Sequence, residues 1–201
     1  MTLSRSRSSV RLLPAWSAII VTACLFLTSL HVGAARAQQQ PVQFMQQVAN
    51  ELVAAARLGT SDAFMEVIER HADLPSIGLY SLGSYASSLP NSERSSYYSG
   101  MTSFIARYAA SQAPQYPVLK AVVIGQTEET KSGVYVDSVV TLNDGTTYDV
   151  RWWLIRRGKS FKVGDAQVLG FWAREQLKRL FETYIAENGG NPKTLVLALN
   201  R

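Results

Sequence analysis

Two neighbouring stretches decide the fold: Val134-Tyr-Val-Asp-Ser-Val-Val-Thr-Leu142 and Thr147-Tyr-Asp-Val-Arg-Trp-Trp-Leu-Ile155. Both are rich in β-branched and aromatic residues, which favour strands. Asn143-Asp-Gly145 lies between them, and glycine accepts the positive φ angle that a tight turn requires. The pattern therefore predicts a β-hairpin.

Two further strands extend this hairpin. Downstream, Arg157-Gly-Lys-Ser160 turns the chain into Phe161-Lys-Val163, which predicts a third strand. Upstream, the run from Leu119 to Thr127 predicts a fourth, closed by Lys131-Ser-Gly133. The whole region, residues 118–165, is expected to form a four-stranded antiparallel sheet.

One face of this sheet is apolar or aromatic throughout. Side chains alternate between the two faces of a strand, so Tyr148, Val150, Trp152 and Leu154 lie together. Such a face has to be covered. We expect helices to cover it and to leave an apolar cavity between helices and sheet.

Six stretches with helical spacing surround the sheet, four before it and two after it. Their apolar positions run from Phe44 to Ala55, from Phe64 to His71, from Ile77 to Ser88, from Tyr97 to Tyr108, from Leu177 to Ile185 and from Leu195 to Leu199. Helices followed by a contiguous antiparallel meander and further helices are the pattern of an α+β fold.

The N-terminus has the three parts of a secretory signal peptide. Arg5, Arg7 and Arg11 precede an apolar run from Ala15 to Leu30, and Ala35-Arg-Ala37 provides a cleavage site. We predict a cleavable signal peptide over residues 1–37 and a single domain over residues 38–201. An uncleaved inner-membrane anchor is the alternative.

Removal of this leader changes the composition. It carries four of the 20 Lys and Arg residues and none of the 15 Asp and Glu, so residues 38–201 have a net charge of +1. A nucleic-acid partner is therefore not expected. Cys24, the single cysteine, and one of the two histidines also lie in the leader. Thiol catalysis is excluded for the remaining chain, and no metal or cofactor is expected.

Three carboxylates lie in or beside the strands and provide an alternative. Asp137, Asp149 and Asp165 could converge on a pocket, although strand alternation places Asp149 opposite the apolar face. An enzyme that uses Asp137, Asp149 or a tyrosine as acid or base on an apolar substrate thus remains open. An interaction protein with a completely filled core is a second alternative.

Three groups of motifs resemble the MlaC family of periplasmic phospholipid carriers and its toluene-tolerance and hopanoid-associated relatives. They are Tyr80-Ser-Leu-Gly-Ser-Tyr85 with Pro90 and Ser92-Glu-Arg94 through Phe104 to Tyr108; Val150-Arg-Trp-Trp-Leu154 with Gly158 and Phe161-Lys-Val-Gly-Asp165; and Phe181, Ile185 and Asn188-Gly-Gly190. The chain departs from the family pattern at Leu169, Phe171-Trp172 and Leu177-Lys178. The order and spacing of the three groups of motifs, rather than any single motif, carry the resemblance.

The resemblance implies an NTF2-like sheet wrapped by helices, with acyl chains in the cavity and the headgroup outside. It also implies a non-enzymatic protein of the periplasm that shuttles phospholipid, or a hopanoid-type lipid, between an inner-membrane ABC transporter complex and an outer-membrane lipoprotein complex. A monomer is expected. As cavity-lining residues we predict Tyr85, Met101, Phe104, Ile105, Tyr108, Val136, Val140, Val150, Trp152 and Val163.

Overall fold

The computed structural model describes the backbone from residue 29 to residue 201 and the side chains from residue 40 onward. Most of the predicted leader lies outside these residues. Residues 38–201 form one compact unit. Among the helices described, none combines the length and the apolar character needed to cross a bilayer.

The described chain contains six α-helices and five strands. The helices are α1 (Ser29–Leu58), α2 (Ser61–His71), α3 (Leu74–Ser81), α4 (Arg94–Gln112), α5 (Ala173–Glu187) and α6 (Pro192–Leu199). The strands are β1 (Val118–Glu129), β2 (Val134–Leu142), β3 (Thr147–Arg157), β4 (Ser160–Val168) and β5 (Phe171–Trp172). Two 3₁₀ turns, Gly83–Tyr85 and Asn91–Glu93, join α3 to α4.

The strands form a single antiparallel meander in the order β1-β2-β3-β4-β5. The predicted hairpin is present, with Thr141 paired to Thr147 and Gly145 at a φ angle of 87°. The expectation of four strands was wrong, because the two-residue strand β5 pairs with the end of β4. A strand this short, formed directly after the Leu169-Gly170 turn, leaves no alternating pattern in the sequence.

The helix starts follow the capping rules, whereas the sequence analysis predicted the end of the third helix too far along the chain. The side chains of Thr60 and Asp73 accept hydrogen bonds from the first turns of α2 and α3. The third helix was expected to continue to Ser88 but ends at Ser81. Gly83 adopts a φ angle of 53°, outside the helical region, and the chain continues as a 3₁₀ turn.

The interior of the described chain contains three apolar clusters. Between α3, α4, α5 and α6 lies a packed cluster, here called the helical core, made of Ile77, Leu82, Leu89, Tyr97, Met101, Phe181, Ile185, Leu195, Val196 and Leu199. A second cluster joins α1 to the sheet through Met45, Val48, Val134, Val136, Leu154 and Phe161. A third cluster joins α1, α2 and the second half of α4 through Ala55, Phe64, Val67 and Ala106. Helix α4 therefore packs in the helical core with its first half and against α1 and α2 with its second.

Candidate functional site

The inner face of the sheet borders an apolar cavity of about 320 Å³, here called the sheet cavity. Helices α1, α2 and α4 form its other walls. Its lining contains neither a charged side chain nor a histidine, and Gln112 is the only amide side chain in it. The lining residues are Ala49, Leu52, Val53, Ala56, Phe64, Ala109, Gln112, Ala113, Tyr116, Val118, Ala121, Val140, Val150, Trp152, Ala166 and Val168.

Small side chains keep this space open. Alanines face it from α1, from the end of α4 and from the strands: Ala49, Ala56, Ala109, Ala113, Ala121 and Ala166. A single methyl group cannot reach across the gap between a helix layer and a sheet. Protein interiors are packed as densely as organic crystals, whereas here helices and sheet leave an apolar cavity that opens to solvent beside the exposed side chains of Tyr116 and Val168.

A second apolar cavity, of about 500 Å³, continues from the first and is called the helix cavity. It lies between α4, α5 and the end of the sheet, and Ala166 and Val168 line both cavities. The two cavities therefore adjoin each other at these two side chains. The lining residues are Phe104, Ile105, Tyr108, Ala166, Val168, Phe171, Ala173, Gln176, Leu177 and Leu180. Their combined size falls in the range of small-molecule sites, which is about 300–1,000 Å³.

A smaller pocket of about 110 Å³, the end pocket, shares Leu52 and Trp152 with the sheet cavity. It contains His71, whose Nε2 atom lies 2.8 Å from a carboxylate oxygen of Glu51. Hydrogen bonds from Gln47 and His71, together with the positive charge of Arg70, hold the pKa of Glu51 below its ordinary value. The polar atoms at this end are therefore paired with one another across α1 and α2.

The indole of Trp152 is held in place by a neighbouring strand. Its Nε1–H donates a hydrogen bond to the Ser138 hydroxyl at 2.9 Å, and Ser138 is buried. A buried indole N–H normally requires such a partner. Because β2 provides it, the aromatic ring is left to line both the sheet cavity and the end pocket.

Helix α1 covers the sheet cavity and is attached to the edge strand β1 by polar side chains. The Gln46 amide accepts from the Val123 backbone N–H at 3.1 Å and donates to the Ala121 carbonyl at 3.4 Å. Arg57 donates to the Leu119 carbonyl at 2.8 Å. These bonds occupy backbone groups of an edge strand that would otherwise be unpaired.

The structure brings seven of the ten predicted lining residues to cavity walls. Val140, Val150 and Trp152 lie in the sheet cavity, Phe104, Ile105 and Tyr108 in the helix cavity, and Val163 in the end pocket. The other three lie elsewhere: Met101 is in the helical core, Tyr85 packs against it, and Val136 belongs to the cluster between α1 and the sheet.

The sequence analysis missed the wall that α1 provides. Ala49, Leu52, Val53 and Ala56 have the i, i+3, i+4, i+7 spacing of one helical face, so a pattern was present. That pattern does not tell a cavity wall from a packed face. Ser138 was also missed, because a serine within a strand carries no sequence pattern that points to an indole partner.

None of the three candidate acid–base carboxylates lines these cavities, and they do not converge, since Asp149 and Asp165 border two separate polar pockets. Asp137 accepts from Arg151 Nε at 2.8 Å, and Asp149 is exposed. Asp165 is buried and accepts hydrogen bonds from the Arg174 backbone N–H at 3.0 Å and from Arg174 Nε at 3.1 Å. Asp165 thus fixes the start of α5, a structural role for the carboxylate that ends the Phe161-Lys-Val-Gly-Asp165 motif.

Comparisons with known proteins bear on this site. The family model described as MlaC protein matches residues 35–201. A solved structure, the phospholipid-binding protein from Ralstonia solanacearum in complex with a phospholipid, is similar with a TM-score of 0.64 and 19% sequence identity. That similarity covers 80% of this chain and 95% of the other. A comparison with curated proteins gave no match. At this level of identity the structural similarity establishes a shared fold.

Proposed function

The chain belongs to the MlaC family, and from this premise we propose that it is a non-enzymatic carrier of phospholipid. The acyl chains of the phospholipid would lie in the sheet cavity and the helix cavity. The observation that supports this most directly is that two apolar cavities with uncharged walls adjoin at Ala166 and Val168. An ordinary filled core would offer no such space.

The energetics of transfer fit a carrier. Each buried methylene is worth about 0.8 kcal/mol relative to water, so two acyl chains with roughly 30 methylenes gain about 24 kcal/mol in an apolar cavity. A bilayer offers a similar gain. A protein that binds lipid about as well as the membrane does can both load and unload, and the direction of net transfer then depends on its partners.

The partners and the compartment are part of this proposal. We propose that the chain works in the periplasm, on an NTF2-like fold, and exchanges lipid with an inner-membrane ABC transporter complex and an outer-membrane lipoprotein complex. The family supports this route. The basis for a carrier rather than an enzyme is that no carboxylate lines the three apolar cavities described above.

Lipid analysis of the purified protein tests the proposal. Mass spectrometry of an organic extract of the protein purified from the periplasm should find phospholipid in stoichiometric amount. A hopanoid-type lipid in its place would correct the ligand class, and an extract without lipid would contradict the carrier function.

A charged substitution in the sheet cavity sharpens this test. Val150→Asp places a carboxylate on the apolar wall and should abolish the co-purifying lipid, because an ionised group is strongly disfavoured beside hydrocarbon. Val122→Asp is the matched control, since Val122 lies on β1 with half of its side chain exposed. A Val150→Asp protein that stays folded and fully loaded would show that the lipid binds elsewhere.

A further inference from the structure

The sheet cavity and the end pocket follow one another along the inner face of the sheet, and the ring of Trp152 lies between them. At the opening, the ring of Tyr116 meets that of Tyr148 edge-to-face at 6.5 Å. Val150, the next residue of β3 on the inner face, pairs with Val168. Trp152 comes next on the same face, and the end pocket begins behind it. A molecule that enters the sheet cavity from its opening therefore reaches Trp152 last.

Two side chains separate these two spaces. Of the described residues, only Leu52 of α1 and Trp152 of β3 line both the sheet cavity and the end pocket, and we call this pair the partition. Both side chains pack against the cluster that joins α1 to the sheet. The Trp152 ring is also held by its hydrogen bond to the buried hydroxyl of Ser138, at 2.9 Å. The partition is therefore supported by packed side chains and by a hydrogen bond.

The end pocket is suited to hydrocarbon. Its one ionisable side chain, His71, has its Nε2 atom engaged by Glu51, and the rest of the lining is apolar. Its volume of about 110 Å³ has room for about three or four methylenes, if each takes about as much space as a molecule of liquid water, about 30 Å³. Without the partition, the sheet cavity would be longer by this amount. The lining residues are Val48, Leu52, Val67, Ile68, His71, Ala72, Trp152 and Val163.

We propose that the partition sets the greatest length of the acyl chain that the sheet cavity accepts. This inference rests on the proposed function, and it places the methyl end of the chain inward because a charged headgroup is strongly disfavoured in an apolar space. A chain whose methyl end contacts Trp152 cannot go deeper, so each further methylene stays in water at the opening. Each such methylene lowers the affinity about fourfold relative to a bilayer, which buries it.

Lipid uptake from vesicles tests the proposal. Delipidated protein is incubated with vesicles that contain symmetrical phosphatidylglycerols in a graded series of chain lengths, and the bound lipid is identified by mass spectrometry. We expect the wild type to accept chains up to a limit, beyond which the bound share falls about fourfold per methylene compared with the vesicle. Trp152→Ala joins the sheet cavity to the end pocket and should raise this limit by about three carbons.

A second variant and a matched control complete the test. Leu52→Ala removes the other side chain of the partition and should raise the limit in the same direction by a smaller amount, which keeps the test decisive if Trp152→Ala does not fold. Val53→Ala is the control, because Val53 lies on the same helix and lines the sheet cavity but not the end pocket. Its limit should equal that of the wild type.

The outcomes separate this inference from the proposed function. An unchanged limit in a folded Trp152→Ala protein, or in Leu52→Ala where Trp152→Ala does not fold, would overturn the role of the partition. An equal rise in Val53→Ala would also overturn it, because the change would then report a wider cavity. A wild-type protein that takes up every chain length in proportion to the vesicle would overturn it and leave the carrier function intact. A wild-type protein that takes up no lipid would instead contradict the carrier function itself.

Discussion

The two halves of helix α4 pack in opposite ways. In its first half, Tyr97 and Met101 are completely buried in the helical core, and the Tyr97 ring meets Phe181 edge-to-face at 6.2 Å. In its second half, Ala109 and Ala113 border the sheet cavity. One continuous helix therefore has one end in a filled interior and the other end beside a hollow.

Side-chain size explains this difference. In the helical core the large side chains meet glycines, and Gly78 lies directly against the rings of Tyr97 and Tyr98. Around the sheet cavity alanines face one another from helices and strands, and nothing large enough fills the space. A void costs stability, so the filled half has to supply the stability that the hollow half lacks. Substitutions should have different effects in the two halves.

The largest expected effect is the removal of an aromatic ring from the helical core. Phe181→Ala should lower the free energy of unfolding by about 3–5 kcal/mol, because Phe181 is almost completely buried and its neighbours cannot collapse onto the space. Leu177→Ala on the same helix is the control. Leu177 contacts the edge of the helical core but is only partly buried and also borders the helix cavity, so its loss should cost about 1 kcal/mol in lipid-free protein. Equal losses in urea unfolding would mean that the two regions are packed alike.

The second prediction adds atoms instead of removing them. A Cβ atom at Gly78 would lie 2.8 Å from the Tyr98 ring, so Gly78→Ala should destabilise the protein by about 1–2 kcal/mol after the gain in helix propensity. Ala109→Leu places its extra carbons in the sheet cavity. It should raise the stability of lipid-free protein by about 1 kcal/mol and lower the amount of bound lipid.

Denaturant unfolding and lipid extraction of both variants decide this second prediction. A stabilising Gly78→Ala would contradict close packing at that helix contact. An Ala109→Leu protein that loses stability and keeps its full lipid content would show that the cavity does not extend to α4.

The sheet could be predicted from the sequence because its patterns are local. Alternation along β3 placed Val150 and Trp152 on one face, and Gly145 marked the hairpin turn. Strand β5 could not be predicted, since two residues contain no period. The end of α3 was missed because its last apolar residues continue the helical spacing into a 3₁₀ turn.

The candidate site was harder to predict than the fold. Met101 and Ile105 lie on one apolar stripe of α4, one turn apart, and both contact the helical core, yet Met101 is completely buried there whereas Ile105 also lines the helix cavity. Hydrophobic periodicity shows that a residue faces inward but does not show what it meets there. That depends on residues distant in sequence, such as Ala49 on α1 and Ala166 on β4.

A smaller effect is expected from the one hydrogen bond that fixes Trp152 in the hollow half. Ser138→Ala leaves the partly buried indole N–H without its partner and should lower the free energy of unfolding by about 1 kcal/mol. The fluorescence of Trp152 should also change, because the hydrogen bond no longer holds its ring in place. Ser138→Thr, which keeps the hydroxyl, is the control. An unchanged stability in Ser138→Ala would mean that the hydrogen bond contributes nothing net to the fold.

The smallest effect concerns Glu182, on the filled side of the molecule. Its carboxylate accepts from the Ser84 backbone N–H at 2.8 Å and pairs with Lys178, and these contacts lower its pKa. A carboxyl group whose pKa is lower in the folded protein contributes stability above its unfolded pKa and loses it as the pH falls through the folded value. This contribution is therefore present at neutral pH and disappears on acidification below about 4.5.

Glu182→Gln should remove that pH-dependent part of the stability. Because the pair is partly exposed, we expect a loss of no more than about 1 kcal/mol at pH 7 and a smaller loss at pH 3. Since Glu182 joins α5 to the 3₁₀ turn at Ser84 and lines none of the apolar cavities, the lipid content should not change. Urea unfolding at the two pH values, with lipid extraction at pH 7, measures both quantities. A drop in bound lipid would show that the filled half also shapes the hollow one, so that the two regions are coupled through α5.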